Sequence, residues 1–223
     1  MEKGFWHERW ERQEIGFHQD EINPHLRQYW AGLGLAHGGL VFVPLCGKSR
    51  DMLWLGDQGH RILGVELSPI AVEAFFRENG YKSQHTSGGK FDRYDADGIR
   101  ILCGDYFDLR KDDLVGVTAM YDRASLIALP PEMRNRYVEH LAGILPPATQ
   151  VLLIAVNYPQ PEMPGPPFAV SPDEVDALYC KYASVELLAK MDVLAQNPRF
   201  EERGLSRLEE NVFLLTMRQG KCI

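Results

Sequence analysis

The chain has 223 residues, of which 45% are apolar and 25% charged. This length and balance suit a globular protein with a hydrophobic core of its own, so no disulfide scaffold or structural metal is needed to hold the fold. The net charge of −7 disfavours nucleic acid and anionic membrane surfaces as partners, because both require a basic protein surface.

Cysteine usage and the absence of long apolar runs indicate a reducing compartment. The four cysteines, at positions 46, 103, 180 and 222, form no C-x-x-C pair, so the sequence predicts neither a zinc site nor a disulfide framework. The first residues lack the apolar stretch of a signal peptide, and no run reaches the ~18 apolar residues that span a membrane. We therefore expect a cytoplasmic protein.

The first 22 residues mix aromatic and charged side chains, which predicts a short amphipathic helix followed by a loop. A second helix is expected from Pro24 to about Leu33, with Asn23 as its cap. The remaining predicted elements, in chain order, are strand 40–43, loop 44–49, a helix from 51 to between 56 and 59, strand 61–66, helix 69–79, an irregular hairpin within 81–98, strands 99–103 and 115–121, helix 131–145, strand 150–156, an ordered proline-rich loop at 157–170, helix 171–180, and strands near 183–190 and 210–218.

Strands alternate with helices five times, and no linker rich in glycine or serine interrupts them. This alternation predicts an α/β fold with a mostly parallel sheet and helices on both faces, in a single domain over residues 1–223.

The loop 44–49 is the first candidate site, because ligands of an open parallel sheet bind beyond the carboxyl ends of its strands. Its residues Gly47, Lys48 and Ser49 resemble the end of a phosphate-binding loop. Phe42, however, occupies the position at which such a loop has its first glycine, and the segment is short for wrapping a phosphate chain. A phosphotransferase that uses Lys48 and Ser49 stays open as an alternative.

Glu66 ends the second predicted strand, about twenty residues after the loop. A carboxylate at this position can accept hydrogen bonds from both ribose hydroxyls of an adenosine cofactor. The alternative is a glutamate that caps a helix or is merely solvated.

Two further strand ends carry polar residues. Asp105 and Tyr106 follow the third long strand, where they can contact an adenine ring; an ordinary turn with Tyr106 in the core is the alternative. Asp122 and Arg123 follow the predicted strand 115–121, and such a pair at a strand end is costly to bury unless it faces a charged ligand. The planar guanidinium of Arg123 suits a carboxylate or another anion, and a local salt bridge is the alternative.

Other catalytic patterns are missing from the sequence. It contains no H-E-x-x-H or G-x-S-x-G motif, and its seven histidines are scattered. Cys46 has no adjacent histidine, which disfavours a cysteine nucleophile.

Segments along the whole chain, from about Trp6 to Met217, resemble the thiopurine S-methyltransferase family. The matching segments are 43–49, 64–68, 121–129, 164–168 and 200–203, together with Trp10 and residues 17–19. The Pro-Leu-Cys-Gly-Lys loop and the Asp-Arg-Ala segment are specific in combination.

This resemblance implies a Rossmann-like class I fold that binds S-adenosylmethionine (SAM), with a mostly parallel sheet of seven strands whose last strand is antiparallel. It implies cofactor contacts from Trp10, Leu45, Glu66 and Arg123, with Asp105 and Tyr106 near the adenine, and acceptor contacts from Phe17 and Arg203. It also implies a small-molecule thiol acceptor of the thiopurine type, and selenium or tellurium species as further acceptors.

Transfer of a methyl group to such a thiol needs alignment more than acid–base help. Orientation of the two reactants can lower the activation barrier by roughly 7–11 kcal/mol. An aromatic or heterocyclic thiol also ionises readily, so it needs little help from a base. We therefore expect no obligatory histidine or cysteine catalyst and no metal, with Arg123 or Arg203 favouring the thiolate and residues 1–22 acting as a lid.

We expect a monomer without nucleic-acid, membrane or obligate protein partners. A methyltransferase for another small molecule and a SAM-binding module without activity stay open as alternatives.

Overall fold

Strands and helices alternate along the chain in the computed structural model, which describes residues 3–16 and 18–218. The chain divides into an N-terminal unit, Met1–Tyr121, and a C-terminal unit, Asp122–Ile223. The expectation of a single domain stays a prediction.

The N-terminal unit is built on a mixed sheet. Its strands are β1 (Leu40–Val43), β2 (Arg61–Glu66), β3 (Gln84–Thr86), β4 (Asp92–Ala96), β5 (Ile99–Cys103) and β6 (Val117–Arg123), whose last two residues open the C-terminal unit. They lie in the order β3-β4-β5-β2-β1-β6. The strands β5, β2, β1 and β6 are parallel, and β4 pairs antiparallel with both β3 and β5. The carboxyl ends of the four parallel strands therefore meet at one edge of the sheet.

Four α-helices accompany these strands: α1 (Lys3–Glu11), α2 (Pro24–Tyr29), α3 (Asp51–Asp57) and α4 (Pro69–Glu78). The side chains of Asn23 and Ser68 accept backbone N–H groups at the starts of α2 and α4, and a proline follows each of them at the first helical turn. Side-chain acceptors and proline at these positions satisfy the free N–H groups of a helix start. Both starts were predicted from the sequence.

The C-terminal unit contains α5 (Pro131–Ile144), α6 (Pro172–Tyr179) and α7 (Pro198–Glu201), with strands β7 (Gln150–Asn157), β8 (Ala183–Asp192) and β9 (Glu209–Met217). Strand β9 pairs antiparallel with β7 on one side and with β8 on the other. This confirms that the last strand runs antiparallel.

The predicted strand count was wrong, since the described residues form nine strands and not seven. The two additional strands are β3 and β4, a hairpin in the segment predicted as irregular. Tyr94 of β4 is only 7% exposed, whereas the side chain of the preceding Arg93 is exposed. The strand therefore has one buried face, and it pairs with β5 to extend the sheet. Strand β6 also begins two residues later than predicted, and the short helix α7 was not predicted.

No helix in the described part of the chain is long and apolar enough to cross a membrane.

Candidate functional site

The loop 44–49 follows β1 and is hydrogen-bonded to the end of β2. The Cys46 N–H donates to the Val65 carbonyl over 3.0 Å, and the Gly47 N–H donates to Glu66 Oε2 over 2.8 Å. Leu45 and Gly47 have φ angles of 44° and 53°. This left-handed region costs a side-chain-bearing residue such as Leu45 roughly 1–2 kcal/mol, whereas glycine adopts it freely. The loop thus keeps a strained backbone at the edge where a ligand is expected.

The Glu66 carboxylate is a fixed and buried acceptor. It is 6% exposed, and its second oxygen, Oε1, accepts the Ser68 N–H over 2.8 Å. Burial raises the pKa of the Glu66 carboxyl, and the backbone hydrogen bonds from Ser68 and Gly47 only partly offset this rise. Each carboxylate oxygen can accept a further hydrogen bond, so the group fits the two hydroxyls of a ribose.

Trp10 of helix α1 covers the loop. Its side chain is 6% exposed, and a Cβ placed on Gly47 would lie 3.4 Å from Trp10 Cζ2. A larger residue at position 47 would therefore press on the indole ring. The predicted pair of Trp10 and the loop is brought together by the fold.

The turn after β5 lies next to Glu66. The Gly104 N–H donates to the Glu66 carbonyl over 2.8 Å, and Asp105 Oδ1 accepts the Phe107 N–H over 2.9 Å at the start of a short 3₁₀ turn. Tyr106 is 3% exposed and meets Phe107 edge-on. Asp105 therefore shapes the turn, and Tyr106 lies in the core with little ring surface left for an adenine.

The contacts of Lys48 and Cys46, the two other candidate residues of this loop, disfavour a chemical role for either. Lys48 Nζ lies 2.8 Å from Glu78 Oε2 in an ion pair, so its charge is neutralised within the protein. Burial, and then the negative charge of Glu66, raise the pKa of the Cys46 thiol well above its usual value. A nucleophilic cysteine needs a lowered pKa, so this surrounding disfavours nucleophilic catalysis by Cys46.

The C-terminal unit carries the second group of predicted residues. Asp122 is fully buried, and its Oδ2 accepts the Tyr137 hydroxyl over 2.7 Å. Burial raises the pKa of the Asp122 carboxyl, against hydrogen bonds from Tyr137, Ser125 and Leu126. Arg123, the next residue, ends β6 and is half-buried.

Arginines gather around Phe200 in the same unit. The guanidinium carbons of Arg199 and Arg203 lie 4.7 Å and 5.9 Å from the centre of the Phe200 ring. Burial, and then the positive charges of Arg203 and Arg123, lower the pKa of Arg199. Arg199 is thus close enough to two other arginines for their charges to lower its pKa, and such a concentration of positive charge favours an anion.

Phe200 itself belongs to an apolar cluster that fixes this region. It packs with Tyr158, Met163, Leu205 and Leu208, all of which are buried. The Arg203 Nη1 lies 3.9 Å from the sulfur of Met163. Phe17, predicted to contact the acceptor, lies outside the described residues.

Comparison with known proteins assigns the family. Residues 1–218 match the family described as Thiopurine S-methyltransferase (TPMT). The chain belongs to the thiopurine S-methyltransferase family. The thiopurine S-methyltransferase of Nitrosospira multiformis is 63% identical over 98% of this chain and 99% of that protein. That of Pseudomonas fluorescens strain Pf0-1 is 49% identical over 96% of this chain and 98% of that protein.

A solved structure supports the same fold. The 1,6-didemethyltoxoflavin-N1-methyltransferase of Burkholderia thailandensis, with bound 1,6-didemethyltoxoflavin and S-adenosylhomocysteine, superposes with a TM-score of 0.65 at 15% identity over 97% of this chain and 87% of that one. The Rossmann-like class I methyltransferase fold is thereby confirmed. As a member of this family, the chain is an enzyme that uses SAM to methylate sulfur.

Family membership decides between the competing functions of the loop 44–49. The enzyme is a SAM-dependent methyltransferase and not a phosphotransferase, in keeping with the pairing of Lys48 to Glu78. Within the described residues, no group of three or more His, Cys, Asp or Glu side chains is arranged to hold a metal ion.

Sequence reasoning missed two residues of the site region. Arg199 lies four positions before Arg203, the spacing that places two side chains on one helical face, and this spacing was the available signal. Tyr137 is 15 positions from its partner Asp122, and nothing in the sequence links the two.

Proposed function

We propose that the enzyme methylates the sulfur of aromatic and heterocyclic thiols of the thiopurine type, which react as thiolates. The observation that carries this proposal is the gathering of Arg123, Arg199 and Arg203 in the C-terminal unit. Three positive groups stabilise an anionic acceptor better than a neutral one, because the charged form gains from each of them. The names of the curated relatives support the same acceptor class.

The cofactor is proposed to contact Trp10, Leu45, Glu66 and Arg123, with the turn at 105–106 beside the adenine. When bound, SAM supplies a methyl group activated by a sulfonium centre. Each oxygen of Glu66 accepts one backbone N–H and has a further lone pair with which to accept a ribose hydroxyl. Trp10 packs close to Gly47 and shields the loop from solvent. The buried Tyr106 contributes shape more than ring contact.

The acceptor side is assigned to Phe17 and Arg203, with Arg123 as a second stabiliser of the thiolate. The thiol proton leaves to solvent before transfer, and the thiolate sulfur then forms its bond to the methyl carbon as the bond from that carbon to the donor sulfur breaks. The arginines hold the anion in place, so no histidine or cysteine base is needed.

The wider setting follows from charge and composition. We propose a cytoplasmic monomer that acts on small molecules without nucleic-acid, membrane or obligate protein partners. Residues 1–22 are proposed to act as a lid, since Trp10 covers the loop at Gly47.

The test is a methyl-transfer assay with 6-mercaptopurine, thiophenol and phenol as acceptors. Benzeneselenol, the selenium analogue of thiophenol, tests whether selenium is also methylated. We expect transfer to both thiols and none to phenol, whose oxygen stays protonated at neutral pH. Arg203→Ala should raise the KM for the thiols about tenfold, as the loss of one charged contact predicts. Arg207→Ala, which removes an arginine paired with Glu209, is the matched control. Equal turnover of phenol and thiophenol would refute the thiolate acceptor.

A further inference from the structure

The carboxylate of Asp122 has no assigned part in the reaction, although it precedes Arg123 directly. Its side chain is fully buried at the end of β6, and Tyr137 of helix α5 donates to its Oδ2 over 2.7 Å. A buried carboxylate is costly unless several hydrogen bonds hold it. Retaining one beside a proposed site residue calls for a reason.

The Asp122 carboxylate closes the turn that follows Arg123. Hydrogen bonding by the hydroxyl and backbone N–H of Ser125 and by the backbone N–H of Leu126 lowers the pKa of the Asp122 carboxyl, against the larger effect of burial, while its Oδ1 has no hydrogen-bond partner among the described residues. Ala124, which lies between Asp122 and Ser125 in the chain, has a φ angle of 76°, in the left-handed region that costs an alanine roughly 1–2 kcal/mol. Such a strained residue persists only where the surrounding contacts fix it, and the hydrogen bonding of Ser125 and Leu126 to Asp122 spans this residue.

The rest of the turn is anchored further along the chain. The Ala128 N–H donates to the Ser125 carbonyl over 3.1 Å, and the Phe168 N–H donates to the Ile127 carbonyl over 2.7 Å. The backbone on both sides of Arg123 is therefore held, by β6 before it and by the Asp122-bonded turn after it. The direction in which the Arg123 side chain leaves the backbone depends on this turn.

We propose that Asp122 is a positioning residue that, anchored by Tyr137, holds the turn 123–126 and so aims the Arg123 guanidinium. This inference rests on the proposed role of Arg123 in binding the anionic acceptor. A purely structural Asp122 would affect folding stability alone, whereas a positioning residue acts on the acceptor through Arg123.

A matched pair of tyrosines separates these two roles. Tyr137→Phe removes the hydroxyl that bonds Asp122. Tyr179 is equally buried and feels the Asp122 charge, since burial and then that charge raise the pKa of its hydroxyl. The Tyr179 hydroxyl nevertheless has no hydrogen-bond partner among the described residues. Tyr179→Phe therefore removes the same atom without removing a bond.

The experiment measures kcat/KM for 4-nitrothiophenol at saturating SAM, for both variants, in the wild-type and Arg123→Ala backgrounds. A second readout is the pKa of the bound thiol, followed by the absorbance of its thiolate without cofactor. We expect Tyr137→Phe to lower kcat/KM about tenfold and to raise the pKa of the bound thiol. Tyr179→Phe should change neither quantity. In the Arg123→Ala background, Tyr137→Phe should cause no further loss, because its effect passes through Arg123.

Two results would overturn the proposal: an unchanged kcat/KM in Tyr137→Phe, or the same loss in both backgrounds. Thermal unfolding of each variant checks that the fold is kept, and Asp122→Asn repeats the test without the charge. If Arg123→Ala alone matches the wild type, the proposed role of Arg123 fails, and the positioning role of Asp122 fails with it. If Arg123→Ala is impaired and Tyr137→Phe is not, only the positioning role fails.

Discussion

Glu66 combines two demands that ordinarily conflict, burial of a charge and availability to a ligand. Two backbone N–H groups hold its oxygens at 2.8 Å each, so its orientation is fixed before a cofactor arrives. Because burial raises its pKa, ionisation of Glu66 costs stability as the pH rises through that value. In the proposed site, the hydroxyl groups of a bound ribose would return part of the solvation that Glu66 loses on burial, which would favour an adenosine cofactor at this place.

Glu66→Ala should weaken SAM binding by roughly 1–3 kcal/mol, the cost of losing a charged hydrogen-bond acceptor. Isothermal titration calorimetry measures the change. Glu78→Ala is the control, because Glu78 pairs with Lys48 on the exposed side of α4 and has no proposed cofactor contact. An affinity within twofold of the wild type in Glu66→Ala would contradict the assignment.

The thiols near Glu66 should react slowly with alkylating reagents, because their raised pKa values keep them protonated. Burial, and then the charge of Glu66, raise the pKa of Cys103 to about 12. At pH 8 only about one in ten thousand Cys103 side chains is then a thiolate, and the fraction grows only as the pH approaches that value. Iodoacetamide labelling at pH 8, read by mass spectrometry, should modify the exposed Cys180 and leave Cys46 and Cys103 unlabelled. Labelling of Cys103 as fast as Cys180 would contradict this expectation.

For single residues, the sequence predicts a site position where that position follows from local spacing. Glu66 is an example, because it stands at the end of a strand that the sequence predicts. The bond between Tyr137 and Asp122 joins a helix to a strand, and only the tertiary packing brings these two residues together. The sequence likewise did not decide whether Tyr106 would contact an adenine or lie in the core, because its burial also depends on tertiary packing.

At the level of elements, β2 contains a glycine where the sheet and the loop come closest. A Cβ on Gly64 would lie 2.8 Å from Cys46 Sγ and 3.3 Å from Ile101 Cγ1. The loop 44–49 can approach the end of β2 only because position 64 has no side chain. This requirement explains the glycine inside an otherwise apolar strand.

Gly64→Ala should therefore lower the free energy of unfolding by about 1–3 kcal/mol through overpacking. Adding Cys46→Ala should restore part of this loss, because it removes the nearer of the two clashing atoms. Gly143→Ala, in helix α5 with open space around it, should instead raise stability by about 0.5–1 kcal/mol. Urea denaturation compares the four proteins, and equal losses with and without Cys46→Ala would show that the sulfur is not the obstacle.

Helix α1 is expected to contribute to cofactor binding through one side chain. Trp10→Ala should weaken SAM binding several-fold, about 1 kcal/mol, because the buried Trp10 ring lies against Gly47 and its removal would expose the loop. Trp6→Ala, on the same helix but half-buried, is the matched control. Titration calorimetry with SAM distinguishes them, and equal affinities would contradict the proposed lid.

Among the elements, those with strong periodicity or capping residues were predicted well. Strands β1 and β2 and helices α2 and α4 fall within a few residues of their expected bounds. The hairpin β3–β4 and helix α7 were harder, because β3 is exposed throughout and α7 has only four residues. Their conformations depend on pairing with β5 and on the burial of Phe200, which a local pattern does not contain.

For the whole molecule, the acidic balance and the site chemistry act at different ranges. The net charge of −7 sets the long-range field, whereas the proposed site for an anionic acceptor consists of a few arginines close together. Screening at physiological salt limits the effect of the net charge to about 8 Å, so we expect the local arginines to decide whether an anionic acceptor binds. An acidic chain can therefore bind an anionic substrate, which composition alone would not suggest.

The whole chain should be a monomer of 25.4 kDa in solution. The large apolar side chains exposed in the described residues are Ile70 in α4, Val115 in the segment before β6 and Leu187 in β8, so each is an isolated exposed position along the chain. The outer strand β8 has a register shift between Leu187 and Ala189, and exposed charges at Glu186 and Lys190 discourage edge-to-edge pairing. Light scattering at about 100 µM, a concentration at which even weak dimers form, should give the monomer mass. The double substitution Glu186→Ile and Lys190→Ile should shift it toward twice that mass, because it leaves an apolar edge free to pair. A wild-type protein at the dimer mass would show that another surface brings two copies together.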